Sequence, residues 1–589
     1  MSCFSSRLAG KAKKAVGFLT AHPLILTFAA CLYLCAVSFM EQYKITSGGI
    51  IAIFVGLLLL SLIASVFLYF RHGLKLWAAA TIFVALAAFS FFVKSELTRS
   101  ERKTATMLLY CALTLVIIAI YFSATKQMTA KIAVALIFVF TIFLRFSYIS
   151  ITSIATRCHD VISYAGTDDP YAQGHMGYIL YLFRNGFALP DVVTDGKLFD
   201  QAYHPPLHHF IAAVWLKVWS ALGVEGETAY SSIQTLTLFY SLVSTVYAYK
   251  IIGKFVSGGG IGVALFAIVA LHPSFYYMAA DINNDMLSVA LSFVALYYAL
   301  RWWKSGSVRH IVLTALAVGA AMMAKLSAYM ICVPIGVLFA VRFFALIKEK
   351  KSLENVLKQF AVFLAICAPL ALAFPMRNMI KFGLPLTFVQ RLPDSSWQYV
   401  GNYTAAQRLF DFRSLFTNIY DVWQGRGGGY HDFNPLVCLV KTSVFEEYIN
   451  AYGAFRGIDF WAHVIYVANI AIIVFSIAGA AYLAVSAAAK KTLRAEFAAI
   501  GVGYAVMLAA YYVFCFEYPH HCTENMRYVT PLIVYGAIFI GGAFDSAKAG
   551  AKGNKAAIKT CVWTERAIYA LSLAFAIASS GMVLIMIKV

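Results

Sequence analysis

Asp and His are concentrated between positions 157 and 212, where His159-Asp160, Asp168-Asp169-Pro170, His175 and His204-Pro205-Pro206-Leu207-His208-His209 follow one another inside an otherwise apolar chain. A carboxylate placed like Asp160, directly after an apolar run, can take a proton from an acceptor hydroxyl, with His159 tuning it. Asp is equally common as a helix cap or turn residue, and that reading stands beside the catalytic one. Asp168 and Asp169 form a carboxylate pair able to ligate a divalent cation through oxygen, although a turn before Pro170 explains them as well. Pro205 and Pro206 fix the backbone between His204 and His208, histidines that can bind phosphate when charged or a metal when neutral. No spacing matches a zinc signature, so a divalent metal is only weakly indicated, metal dependence stays open and no cofactor is certain.

Further along, Asp281, Asn283, Asn284 and Asp285 stand at the end of an apolar run as DINND. Ionisable and amide groups at such a place are costly unless solvated or paired. Lys325 lies between two apolar runs in AAMMAKLSAYM, where it either snorkels to the interface or reaches a lipid phosphate as a point charge. Arg377-Asn378 and Lys381 follow the apolar run that ends at Pro375, and Arg527-Tyr528 opens another after EYPHHCTENM. Arg suits bidentate contact with phosphate, though a single Arg at a helix end is also an interfacial anchor.

The elements that must position these residues are membrane helices. Of 589 residues, 61% are hydrophobic and 13% charged, and the mean hydropathy is +0.76; such a chain is a polytopic membrane protein, not a soluble domain. Apolar runs long enough to cross a bilayer number about fifteen, near 23–41, 49–70, 76–93, 105–123, 132–149, 234–252, 259–279, 286–303, 311–324, 328–346, 357–375, 461–487, 496–516, 526–544 and 564–586. The formal charge of +20 sits in short clusters after alternate runs, as at Arg301, Lys304 and Arg309 or Lys490, Lys491 and Arg494. Cytoplasmic loops carry such clusters, so no nucleic acid is needed to explain them.

That assignment makes 150–233 a large first external loop and 376–460 a second, the latter containing GRGGGYH at 425–431. The cluster Lys94, Arg99, Arg102 and Lys103 falls outside in this scheme and runs against it. Residues 209–223 read as a span by hydropathy, yet both flanks are external, so they are expected to form a juxtamembrane or re-entrant helix at the interface. All histidines except His22, His72 and His310 fall on the outer side or at outer helix ends. The eleven cysteines contain no CxxC pair and mostly sit in apolar segments, with Cys158, Cys438 and Cys522 in loops. The basic N-terminus before the first run reads as the cytoplasmic start of a retained helix.

The order HD, GHxGYIxYL, NGxxLPD, YHPPLHH, NND, AKLSA, RNxxKFGxPL, NPLVCLVKTSVFEE and TENMRYVTP resembles polyprenyl-phosphate-sugar-dependent membrane glycosyltransferases of the GT-C superfamily, whose relatives include protein O-mannosyltransferases and the aminoarabinose transferase of lipid A. The likeness spans 132–545. It implies an all-α GT-C type bundle with juxtamembrane helices in the first external loop; the additional helices in 1–131 are not explained by it, and 546–589 reads as a cytoplasmic loop and final helix. It also implies inverting transfer of a sugar from a polyprenyl-phosphate donor to a hydroxyl of a glycan, lipid or protein at the outer face of the membrane, which the retained N-terminal helix and the lack of eukaryotic retention signals lead us to expect is a bacterial inner membrane. The base would be an Asp early in the first loop, Asp160 by position, with Asp169 and Asp168 nearer the helix GYILYLFRNG. His175 and Tyr178 would line the same cavity, with Asn284 and Asp285 facing it. Lys325, Arg377 and Arg527 would hold the donor phosphate.

A secondary transporter or lipid flippase would also use many helices. Such proteins place polar groups mid-membrane on broken helices within internal repeats, whereas here the polar groups lie in outer loops and no repeat is evident.

Overall fold

The computed structural model describes residues 125–152, 174–194, 197–396, 398–417, 432–446, 457–490 and 494–586, with scattered single positions elsewhere. The first four expected spans fall almost entirely outside the described residues, as do His159, Asp160, Asp168, Asp169 and GRGGGYH.

In chain order the helices are α1 (Ala130–Ile151), α2 (Gly174–Arg184), α3 (Leu207–Ala221), α4 (Gly226–Ser231), α5 (Gln234–Phe255), α6 (Gly259–Ala270), α7 (Pro273–Ala280), α8 (Asp285–Ser305) and α9 (Val308–Ala324). They continue as α10 (Cys332–Lys348), α11 (Glu354–Phe382), α12 (Ala405–Phe410), α13 (Pro435–Phe445), α14 (Ile458–Lys490), α15 (Ala495–Glu517), α16 (Pro531–Gly550) and α17 (Lys555–Met586). Strands are limited, among the described residues, to a hairpin of Val193–Thr194 with Lys197–Leu198. The molecule is an all-α polytopic membrane protein: ten described segments are long and apolar enough to span, and α9 is a shorter apolar helix beside them.

The expected span at 259–279 is broken. Pro273 lacks an N–H and cannot continue α6, so α7 restarts there, with the His272 ring accepting the Ser274 amide at 3.4 Å. A break inside a bilayer leaves carbonyls that must be satisfied from neighbouring helices. Arg145 of α1 donates to Ala270 O at 2.8 Å and to Ser241 O at 2.8 Å, while Ser579 of α17 donates to Leu271 O at 2.7 Å. The far end of α7 is treated likewise, with Gln234 and Thr237 of α5 donating to Ala280 O and Ala279 O at 2.8 and 2.7 Å. The interruption thus becomes a polar knot joining α1, α5, α7 and α17.

Two other boundaries move. The run expected at 357–375 extends to Phe382 despite Pro369 and Pro375, ending at Gly383 with φ of 68°, so Arg377, Asn378 and Lys381 lie on the last turns of α11 and not after it. The run at 526–544 begins as a 3-10 turn, Met526–Val529, and the α-helix starts only at Pro531. Elsewhere helices approach closely through small residues; a Cβ on Gly479 of α14 would meet Phe539 O of α16 at 2.7 Å, leaving no room for a side chain.

The expected interfacial helix is α3. At about 1.5 Å per residue its 15 residues cannot cross a bilayer. One face buries His208, His209, Ala212, Ala213 and Leu216, and the other exposes Phe210, Val214 and Val218. α2 packs against it, so the two histidine-bearing helices of the first loop form one layer.

Candidate functional site

Asp285 opens α8, and its side chain is 5% exposed. The turn before it is held from several directions: Asn283 Oδ1 accepts the Asp285 amide at 3.0 Å, and His208 Nε2 hydrogen-bonds Ile282 O at 2.8 Å. Asn284 Nδ2 donates to Ala324 O at 2.7 Å, which pins the end of α9 to the start of α8. Lys325, the next residue, therefore arrives beside Asp285, and the two form an ion pair. A Lys left to snorkel would show its ammonium to water; here its side chain is 13% exposed.

Arg527 comes from the 3-10 turn ahead of α16, and its Nε stands 4.0 Å from Asp285 Oδ2. Asn525 Oδ1 accepts the Arg527 amide at 2.9 Å, the cap that sets this turn. Tyr528 joins both cations: Lys325 Nζ lies 4.8 Å from its ring centroid, and Arg527 Nη2 donates to its hydroxyl at 3.3 Å. These residues line one cavity together with Ser288, Ser292 and Ser327. Asp285, Ser288 and Ser292 recur at i, i+3 and i+7, so one face of α8 is a polar stripe aimed into the cavity. The three serines were not singled out from the sequence, where a Ser within an apolar helix carries no signal; the spacing relative to Asp285 would have found Ser288 and Ser292.

A second cluster adjoins the first. His175 Nδ1 and His209 Nε2 share a hydrogen bond of 2.9 Å, with one ring donating to the other. His204 stacks on His175 at 5.6 Å and Tyr178 on His209 at 4.3 Å. Burial drives the His175 pKa well down, and the nearby His204, Lys325, His208 and Arg527 act in the same direction. His208 is pushed down to about 4, again by burial. Burial thus favours the neutral imidazole at both His175 and His208.

Arg377 takes a different position. Its Nη2 donates to Pro190 O at 2.9 Å and lies 3.8 Å from Asp191, with Lys381 also paired to Asp191. It ties the end of α11 to the segment after α2 and does not line the cavity of Asp285. The structure thus brings Asn284, Asp285, Lys325, Arg527 and Tyr528 together, sets His175, Tyr178, His204 and His208 in a cluster beside them, and holds Arg377 on the first loop.

Chemically, the cavity lining carries two cations and one carboxylate at the end of membrane-spanning helices, with hydroxyls around them. Such a lining attracts an anion and offers it hydrogen-bond donors.

Residues 203–374 match the family described as dolichyl-phosphate-mannose-protein mannosyltransferase. No curated protein matches the chain. Among solved structures, ArnT from Cupriavidus metallidurans bound to undecaprenyl phosphate is similar at 14% identity and a TM-score of 0.36, with 74% of each chain covered. The apo state of the same protein gives 14% identity, a TM-score of 0.37 and the same coverage. The assignment rests on the family match, whose residues include YHPPLHH, DINND and AKLSA. Over these residues the GT-C resemblance read from the motifs is met by the family match.

Proposed function

We propose that this protein is an inverting glycosyltransferase that moves a sugar from a polyprenyl-phosphate donor to a hydroxyl acceptor at the outer face of the membrane. The observation that carries the reading is the meeting of Lys325 and Arg527 about Asp285 in one cavity at the end of α8. A lipid-linked sugar cannot leave the bilayer, so its phosphate must be met by cations at headgroup height. Asp285 orients both cations before the donor arrives, which is the preorganisation that electrostatic catalysis requires.

In the reaction, a first-loop carboxylate, Asp160 or its rival Asp169, takes the proton from the acceptor hydroxyl. The freed oxygen attacks the anomeric carbon from the face opposite the phosphate. The bond between that carbon and the phosphate oxygen breaks, and the electron pair leaves with the lipid phosphate, where Lys325 and Arg527 stabilise the developing charge. The neutral histidines, with His208 on Ile282 O, hold α3 against the DINND turn. The outer-face assignment is supported by the opposite end of α8, where Lys304 lies within one of the basic clusters read as cytoplasmic.

The test is transfer of labelled sugar from a polyprenyl-phosphate donor by purified protein, with Asp160→Asn and Asp169→Asn alongside. Loss of transfer in Asp160→Asn alone names the base; loss in Asp169→Asn alone moves it. A wild-type protein inert toward every polyprenyl-phosphate sugar supplied, yet translocating labelled lipid across vesicle membranes, would replace this reading with transport.

A further inference from the structure

Cys438, His521 and Glu524 are wholly buried and lie outside the residues lining the cavity of Asp285. A sulfur, an imidazole nitrogen and a carboxylate oxygen from these three all lie within 4.8 Å of one another. Cys438 was read from the sequence as a loop cysteine; it sits instead on α13, whose residues from Val437 to Phe445 are all buried. The separations are 3.2 Å from Cys438 Sγ to Glu524 Oε2 and 4.0 Å from Cys438 Sγ to His521 Nε2. Tetrahedral zinc, with bonds of about 2.3 Å to sulfur and about 2.0–2.2 Å to nitrogen and oxygen, places its donors about 3.3–3.6 Å apart. The two separations bracket that range, so shifts of tenths of an ångström would bring both of these pairs to it, while the third pair lies within 4.8 Å.

The surroundings are those of an oriented ligand set. Arg408 Nη2 donates to Glu524 Oε1 at 2.8 Å and to Cys515 O at 2.9 Å, which turns the other carboxylate oxygen toward the sulfur. Beside the cluster, Lys441 pairs with Asp432 at 2.8 Å, both side chains fully buried, so the neighbouring charges are already matched. Nothing in the sugar-transfer reading uses Cys438.

We propose that Cys438, His521 and Glu524 bind a zinc ion that clamps the segment 521–529 to α13. On binding, the Cys438 S–H bond breaks, a sulfur–zinc bond forms and the proton passes to solvent; the thiolate and the Glu524 carboxylate, which stays paired with Arg408, offset the dication in part, and water completes the tetrahedron. The consequence reaches the cavity through two further contacts of the same helix. Thr442 Oγ1, one turn beyond Cys438, accepts the Met526 amide at 3.0 Å, and Glu446 Oε1 accepts from Asn525 Nδ2 at 2.6 Å. The ion therefore fastens the stretch that ends in Arg527, and does so whether or not the donor is a lipid-phosphate sugar.

The test uses the full chain purified in detergent, washed with a weak chelator and analysed for metal. About one zinc ion per chain is expected in the wild type, with near-complete loss in Cys438→Ser and His521→Ala and full retention in Cys522→Ser, a control at the neighbouring cysteine. Because a variant can fail to fold, the metal-free wild type is also loaded with Co²⁺; a thiolate-to-cobalt charge-transfer band and tetrahedral visible bands are expected, and added Zn²⁺ should displace both and raise the thermal midpoint. A wild-type protein that takes up neither ion, or a folded Cys438→Ser variant with undiminished zinc, overturns the proposal.

Discussion

Lys325 stands against Asp285 because Asn284, the residue before Asp285, hydrogen-bonds the carbonyl of Ala324, the residue before Lys325. The pair therefore joins the start of α8 to the end of α9 through two adjacent contacts, one neutral and one ionic, with little water at either. Arg527 faces the same carboxylate from a different part of the chain.

Removing either cation should damage the chemical step more than the fold. Lys325→Ala and Arg527→Ala are expected to lower transfer by roughly 10²–10³-fold, the usual loss of an electrostatic contact to developing charge. Steady-state kinetics with a polyprenyl-phosphate donor check this. Variants that keep full turnover would remove these residues from the phosphate.

Asp285→Asn leaves Lys325 without its anion in a nearly dry place. A loss of about 3 kcal/mol of stability is expected, as for breaking one partner of a buried pair, together with reduced activity. The thermal midpoint in detergent reads the first effect, and an unchanged midpoint would mean that the pair is solvated.

Acid should loosen the first loop. His208 has a folded pKa of about 4 against an ordinary value of 6.5, so the unfolded chain binds the extra proton between these limits. Stability from this group is fully present above pH 6.5 and is lost as pH falls toward 4, amounting to roughly 3 kcal/mol over that window. Burial shifts His175 and His209 in the same direction. His208→Gln, which keeps a donor for Ile282 O, should flatten the fall in midpoint between pH 6.5 and 4; an equally steep fall in that variant would assign the acid sensitivity elsewhere.

Arg145 satisfies the carbonyls of Ser241 and of Ala270 at the interrupted span, and it is 1% exposed. Arg145→Leu should cost about 3 kcal/mol, because buried acceptors are left without donors. Chemical denaturation of the purified protein measures this, and a midpoint within error of wild type would show that the break at Pro273 needs no such support.

If α3 lies at the interface, the stretch after it shares a side with the site. A cysteine at Glu227 is then expected to react with a membrane-impermeant maleimide applied from outside intact cells, above the wild-type background. Labelling only after the cells are opened would make α3 a true span and invert the topology of everything downstream.

Much of the architecture could be read directly along the chain. The eleven apolar runs from 132 onward are all helical, and α3, which hydropathy alone would have made a span, has only 15 residues, too few to cross. The misplaced boundaries had local causes that hydropathy does not weigh, as at Pro273, where a missing N–H splits a run that stays apolar throughout.

Residue type alone determined which side chains were worth watching: Asp285, Lys325, Arg527 and Tyr528 were each chosen as polar groups at the ends of apolar runs, where lipid makes them costly without partners. Their partnership was decided by tertiary packing. That Arg527 meets Asp285 while Arg377 turns to Pro190 depends on how α8, α11 and α16 cross, and no spacing along the chain encodes a crossing. Cys438, His521 and Glu524 make the point more sharply, since they lie 83 and 86 residues apart from sulfur to partner and in separate stretches of the chain. Hydrophobic periodicity is a local property of neighbouring residues, whereas a buried polar site is a distance between elements, fixed only when those elements close-pack.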